Sequence, residues 1–144
     1  NLMAFKDGTV NTRHTDEYKD YVFIDDGWAK NGTYCIIRRI QIHIETWDRT
    51  ALEEQEATFG RKRSTGAPLT GKKEFDNIDL NAKNNKGKYV IDENAHTRLA
   101  REVKTSIKRR AYNYNDGTNA KTGDLDTGLM FICFQKLCKL YILP

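Results

Sequence analysis

Imidazole, thiolate and paired charge are the side-chain chemistries to look for first, and this sequence holds few of them. Its histidines are His14, His43 and His96 and its cysteines Cys35, Cys133 and Cys138. No two cysteines are spaced C-x-x-C, so a zinc knuckle is excluded, and an odd count argues against a disulfide framework. The C-x-x-C-H motif of covalent haem attachment is also absent. The thiols read as small buried or half-buried side chains. His14 lies in the polar stretch Asn11–Glu17. His43 sits in an alternating segment, on the face shared with Arg39, Gln41 and Glu45. His96 follows the acidic turn Asp92-Glu93-Asn94 and is the best ligand candidate by elimination, although a lone histidine is more often simply hydrogen-bonded. A basic loop, Gly60-Arg-Lys-Arg-Ser-Thr-Gly-Ala-Pro-Leu69, could clamp an anion or RNA. It lacks the G-x-x-x-x-G-K-[ST] order of a phosphate loop, and a solvated loop is the simpler reading.

Elements able to position such groups follow from periodicity. Ile40, Ile42 and Ile44 alternate with Gln41, His43 and Glu45, and with Tyr34-Cys-Ile-Ile37 upstream they predict one long half-buried strand. Thr50 and Glu53 have the spacing of a capping box, and Gly60 suits a stop, so a helix is predicted from Thr50 to Phe59. Residues 71–88 are polar, Asn- and Lys-rich, and read as a surface connection. Two readings compete from Asp92 to Tyr114. Ala95, Leu99, Val103 and Ile107 recur at helical spacing, whereas Ile107–Tyr114 has strand character. In a strand, Arg109 and Arg110 point to opposite faces. Gly128–Phe134 is apolar at every second and every intervening position, as in a central strand. This order suggests an α+β sandwich, a ferredoxin-like antiparallel sheet with helices on one face.

Composition limits the function classes. The chain has 144 residues, 38% hydrophobic and 31% charged, with 24 Lys and Arg against 20 Asp and Glu. The apolar share supports a packed core and one domain. A net charge of +4 is too weak and too scattered for a dedicated nucleic-acid binder. No run approaches the ~18 apolar residues of a membrane span. The sequence begins at Asn1, without the basic and apolar regions of a signal peptide.

Several pieces, taken in order, resemble the dye-decolourising (DyP-type) haem peroxidases, closest to the exported deferrochelatase/peroxidase branch. They are Ala4-Phe-Lys-Asp-Gly8 for the GxxDG motif, Arg39-Ile-Gln with Trp47-Asp-Arg-Thr50, Phe59-Gly-Arg, Thr65-Gly-Ala-Pro-Leu69, Ala95-His-Thr-Arg-Leu-Ala100, Arg109-Arg-Ala-Tyr, and Asp126-Thr-Gly-Leu-Met-Phe-Ile-Cys-Phe-Gln135. Ala4 stands at the first glycine of that motif. The resemblance implies non-covalent haem b with His96 as axial ligand to its iron, and Asp126 as the acceptor on the other imidazole nitrogen. It implies Asp7 as distal acid/base and Arg109 as distal cation, with Arg110 the neighbouring candidate. Arg98, and less strongly Asn11, would meet a haem propionate, while Leu129 and Phe131 would wall the cavity. It further implies hydrogen peroxide and a small-molecule reductant or porphyrin as partners, export from the cytoplasm, and possible homo-oligomers. Residues 1–144 are then expected to be one haem-binding domain, the C-terminal half of a two-domain peroxidase. The rival expectation is a non-catalytic haem-binding or partner-binding module.

Overall fold

The computed structural model describes residues 2–11, 15–102 and 105–137. His14, Val103 and Cys138 lie outside them. The elements are α1 (Thr15–Val22), β1 (Tyr34–Gln41), α2 (Ile44–Arg49), α3 (Leu52–Phe59), α4 (His96–Glu102), β2 (Lys108–Arg109), β3 (Tyr112–Thr118) and β4 (Leu125–Gln135). None of these helices is long and apolar enough to cross a membrane.

The apolar run that predicts a central strand does form one. On one side of β4, β1 pairs antiparallel with it, from Tyr34 opposite Gln135 to Gln41 opposite Gly128. On the other side, β2 sets Arg109 opposite Cys133 and β3 sets Tyr112 opposite Met130. The β2 and β3 pairings continue one register along the same flank of β4. Directly opposed residues share a face, so Arg109, Cys133, Phe131, Leu129, Ile36 and Ile40 lie on one side of the sheet. Arg39, Tyr112, Tyr114, Asp126, Met130 and Ile132 lie on the other. On that second face Lys108 reaches over the Tyr18 ring of α1, 4.6 Å from its centroid. The architecture is α+β with a four-stranded antiparallel sheet, in keeping with the ferredoxin-like expectation.

Two sequence expectations need correction. The strand from Tyr34 does not run on to Glu45 and is mostly exposed rather than half-buried. The Ile42 N–H makes the last bond to the Thr127 carbonyl, then Ile44 N–H turns back onto the Ile42 carbonyl. Glu45 instead takes the Leu125 N–H at the start of β4, at 2.9 Å. Alternation persists in sequence where the backbone has already turned, and His43 becomes the residue preceding α2 rather than a strand residue. The helix predicted from Thr50 to Phe59 starts two residues later, as α3, and a separate helix, α2, precedes it. Thr50 is extended and closes α2, and its hydroxyl donates to the Thr46 carbonyl. Ala51 precedes α3 without any side-chain cap. Gln55 instead ties α3 back to the end of α2, donating from Nε2 to the Trp47 and Thr50 carbonyls. Gly60 ends α3 as expected, in the left-handed region at φ 75°. A Cβ there would stand 3.0 Å from Ile91 and 3.3 Å from Thr97, so glycine is required by space as well as by dihedral. Between Asp92 and Tyr114 each competing reading holds for part of the range, as α4 and then β2 and β3.

The main core lies beside the sheet. Phe5 stacks on Phe59 with centroids 4.0 Å apart, and Trp47 meets both edge-on at 6.2 and 5.8 Å. Ile91, Ala95, Ala67 and Pro68 complete it, all essentially inaccessible to solvent. The chain from Gly60 to Ile91 contains no helix or strand beyond isolated bridges. It is held by side-chain donors reaching its carbonyls, chiefly those of Arg61 and Arg98.

Candidate active site

The seam between this core and the sheet is crossed by residues 3–11. Trp47 Nε1 donates to the Met3 carbonyl at 3.2 Å, and Phe5 is 5% exposed. Ala4 adopts φ 60°, which accounts for the glycine expected at that point of the motif. Beyond Phe5 the chain turns, with Gly8 at φ 85° and Asn11 N–H on the Gly8 carbonyl at 3.0 Å. The turn brings Asp7 onto the sheet edge, where Arg109 Nη2 donates to its Oδ1 at 2.8 Å. The Gly8 N–H donates to the same oxygen at 2.7 Å. Oδ2 is therefore the carboxylate oxygen left open among the described contacts.

Asn11 completes the join. Its Nδ2 donates to the Arg109 carbonyl and its Oδ1 accepts the Arg109 N–H, both at 3.1 Å. One amide satisfies both outward-facing backbone groups of Arg109, as a neighbouring strand would. Asp7, Gly8, Asn11 and residues 109–112 line an open cleft of about 260 Å³.

His96 begins α4, with its ring 5.8 Å from that of Phe59. Neither ring nitrogen bonds to a described residue, and the residue is exposed. Surrounding protein nevertheless withdraws the imidazole from bulk water and pushes its pKa down. The Arg109 charge adds to that shift and Asp7 opposes it. The three groups are thus close enough for their charges to act on one another, and the lowered pKa favours the neutral imidazole. Leu129 and Phe131 are half-buried on the same sheet face as Arg109. Arg110 has an exposed guanidinium directed at the Tyr112 hydroxyl, 3.4 Å away, so it is Arg109 that meets Asp7.

One expected site residue is placed elsewhere and another is largely engaged. Asp126 accepts from Arg39 Nη2 at 2.9 Å, and Arg39 also bonds Asp116 at 2.8 Å and lies over the Tyr114 ring. That corrects the expectation of an Asp126–His96 bond. Seven positions along β4 separate Asp126 from Cys133, the partner of Arg109, and an odd separation puts the two on opposite faces. Arg98 donates from Nε to the Asp92 carbonyl and from Nη2 to those of Leu80 and Ile91, at 3.2, 2.6 and 2.8 Å. Its guanidinium also covers the Tyr89 ring. Three of its five donors therefore stitch the long connection to α4, leaving Nη1 for any other partner.

The basic loop is similarly engaged. Arg61 holds the Gly66 and Glu74 carbonyls, Lys62 pairs with Glu56, and Arg63 bonds Gln55. Among the described residues no group of His, Cys, Asp and Glu side chains could hold a metal ion by itself. Sequence reasoning missed Glu74, which binds both flanks of Asp7. It sits in a polar connection where only the tertiary fold gives a carboxylate meaning.

A family model describing the C-terminal part of DyP-type peroxidases matches residues 1–142. The chain belongs to the DyP-type peroxidase family. Along 94% of its length it is 40% identical to the deferrochelatase of Yersinia pestis bv. Antiqua, covering 33% of that protein. It thus spans about a third of the length of the curated relatives it matches. The DyP-type peroxidase of Cellulomonas bogoriensis superposes with a TM-score of 0.85 at 39% identity, over 94% of this chain and 38% of that one. An oxyferrous complex of DtpA from Streptomyces lividans gives 0.85 at 35% identity, over 94% and 39%. This DyP-type chain therefore shares its fold with crystallised peroxidases.

Proposed function

We propose that this chain is the haem-binding domain of a DyP-type peroxidase that uses hydrogen peroxide to oxidise dyes, phenols or porphyrin. The observation that carries this reading is the Asp7–Arg109 pair set within electrostatic reach of an exposed, neutral imidazole. The donor set fits non-covalent haem b: a nitrogen ligand free of protein hydrogen bonds, two half-buried apolar side chains on the facing sheet, and a fixed cation. His96 would ligate the iron, Leu129 and Phe131 would exclude water from the porphyrin, and Arg98 retains Nη1 for a propionate. Bound haem supplies a redox-active iron and a porphyrin able to accept the oxidising equivalents of peroxide.

The protein's own part is proton handling and charge. Oδ2 of Asp7 can take a proton from one peroxide oxygen and return it to the other, while Oδ1 stays anchored by Arg109 and Gly8. Arg109 remains protonated, so it stabilises the negative charge on the departing oxygen and cannot replace Asp7 as base. Asn11 serves by fixing the Arg109 backbone rather than by touching the cofactor. Asp126 has no place in this reading, because Arg39 holds it on the far face.

The 40% identity to deferrochelatases supports a haem-deferrating role and, with it, export. A further polypeptide, corresponding to the rest of those relatives, would cover the open side of the cleft; a homo-oligomer is the other arrangement to test. Reconstitution with hemin is expected to give a Soret band that His96→Ala abolishes. Asp7→Asn and Arg109→Leu are each expected to slow the reaction with peroxide by about 10²-fold or more. Absence of a band with the wild-type chain overturns the reading. A band without any peroxide reaction selects a non-catalytic haem-binding module instead.

A further inference from the structure

Asp7 owes its position to more than Arg109. The residues on either side of its turn, Lys6 and Thr9, are both held by a single carboxylate from the long connection. Lys6 Nζ donates to Glu74 Oε2 at 2.7 Å, and Thr9 Oγ1 donates to Glu74 Oε1 at 3.0 Å. Glu74 thereby spans the four residues Lys6–Thr9 that present Asp7. Its own backbone is fixed: Arg61 Nη1 donates to the Glu74 carbonyl at 3.0 Å and to that of Gly66 at 2.6 Å. Arg61 in turn belongs to the bridge with Pro68, one of the most completely buried side chains. Gly66 lets the two stems meet, since a Cβ there would stand 2.8 Å from Lys6 Cδ and 3.3 Å from Glu74 Cγ. Its φ of 76° excludes most other residues as well.

We infer that Glu74 is a positioning residue, a brace that holds the Asp7 turn against Arg109. The inference rests on the reading of Asp7 as the acid/base, but its geometry is independent of it. Phe5 fixes one end of the turn and Asn11 the other. Between them, Glu74 supplies the hydrogen bonds on either side of Asp7 that come from outside the turn. The Lys6 and Thr9 bonds hold the Glu74 carboxyl below its ordinary range, so the brace is charged at neutral pH.

The test compares wild type with Glu74→Ala, Thr9→Val and Glu74→Gln. Amide hydrogen exchange in the haem-free protein reads the Gly8 N–H, which donates to Asp7 Oδ1, against the Cys133 N–H of β4 as an internal control. Loss of a charge-assisted hydrogen bond is expected to speed Gly8 exchange about tenfold or more in Glu74→Ala, leaving Cys133 unchanged. Thr9→Val removes one bond with little change of shape and is expected to give a smaller acceleration. Glu74→Gln keeps one acceptor oxygen for the Lys6 ammonium, while its Nε2 can donate to the Thr9 hydroxyl oxygen, and it is expected to restore part of the protection. In the haem-loaded protein the same order is expected in kcat for peroxide, with the Soret band unshifted.

Unchanged Gly8 exchange in both Glu74→Ala and Thr9→Val overturns the brace, whatever the activity. Acceleration of Gly8 and Cys133 together in both variants also overturns it, since that is general loosening. Faster Gly8 exchange alongside a wild type inert to peroxide upholds the brace and overturns the catalytic reading instead.

Discussion

The region without regular structure is the better packed of the two parts of this molecule. Ile91, in the long connection, is fully buried, whereas Ile37, in the middle of β1, is 63% exposed. The difference follows from where backbone hydrogen bonds go. In the sheet the ladder satisfies backbone groups, and side chains can stay in solvent without leaving a donor or acceptor unpaired. The connection has no ladder, so several of its carbonyls are met by side chains, and Arg61 and Arg98 are drawn inward to meet them. Such donors bring their apolar stems and neighbours with them, and a core forms around the loop. The candidate site lies where the two regimes join. Asp7 is carried by the packed region, Arg109 by the sheet, and Asn11 uses an amide side chain to imitate a strand between them.

Truncations on the two sides test that contrast most strongly. Phe5→Ala removes a ring stacked on Phe59 and edged by Trp47 and is expected to cost about 3–5 kcal/mol in urea unfolding. Ile37→Ala is expected to change stability by less than about 0.5 kcal/mol. Equal losses at the two positions would break the comparison. Arg98→Met is next, at about 2–3 kcal/mol, because it strands the carbonyls of Leu80, Ile91 and Asp92. Arg98→Lys is expected to recover little, since one ammonium cannot reproduce the fork. A full stability rescue by lysine would show that charge, not geometry, holds the connection. A gain is expected at Ala4, whose φ of 60° costs an alanine about 1–2 kcal/mol. Ala4→Gly should raise the unfolding midpoint by an amount equivalent to roughly 0.5–1 kcal/mol, after the greater chain entropy of glycine is subtracted.

The sequence made some of this legible and hid the rest for identifiable reasons. The central strand was readable because every position from Gly128 to Phe134 is apolar, and none of them is exposed in β4. The Gly60 stop was readable because the left-handed cap and the close approach of Ile91 both demand glycine. The ends of β1 and α2 were not, since Ile42 and Ile44 continue an alternation that the backbone abandons, and Thr50 with Glu53 has the spacing of a cap that does not form. Asp7, Arg109 and His96 were visible through a resemblance in their order along the chain, and the fold brings their charges together. Asp126 was misjudged because a motif does not reveal face. One residue of register decides whether a side chain at the start of a strand looks toward the site or away from it. Glu74 left no signal, for its significance lies in spanning Lys6 and Thr9, more than sixty positions away.

The smallest expected effect concerns His96, which stands on the packed side yet feels a charge from the sheet. Withdrawal from water is the first cause of its lowered pKa, Arg109 the second, and Asp7 works in the opposite direction. The folded chain therefore binds fewer protons at this site than the unfolded chain, whose imidazole titrates near 6.5. Stability of the haem-free protein should fall as pH drops through that value, and the loss should be complete below the folded pKa. His96→Gln is expected to flatten the slope of urea midpoint against pH between about 7.5 and 5.5, above the range in which ordinary carboxylates titrate. Arg109→Leu should remove part of the same slope by deleting the sheet's contribution, and Asp7→Asn should steepen it by deleting the opposing charge. A slope indifferent to Arg109 and Asp7 but abolished by His96→Gln would mean that the packed region alone sets the imidazole's environment. The seam would then be a place where the two regions touch without acting on each other.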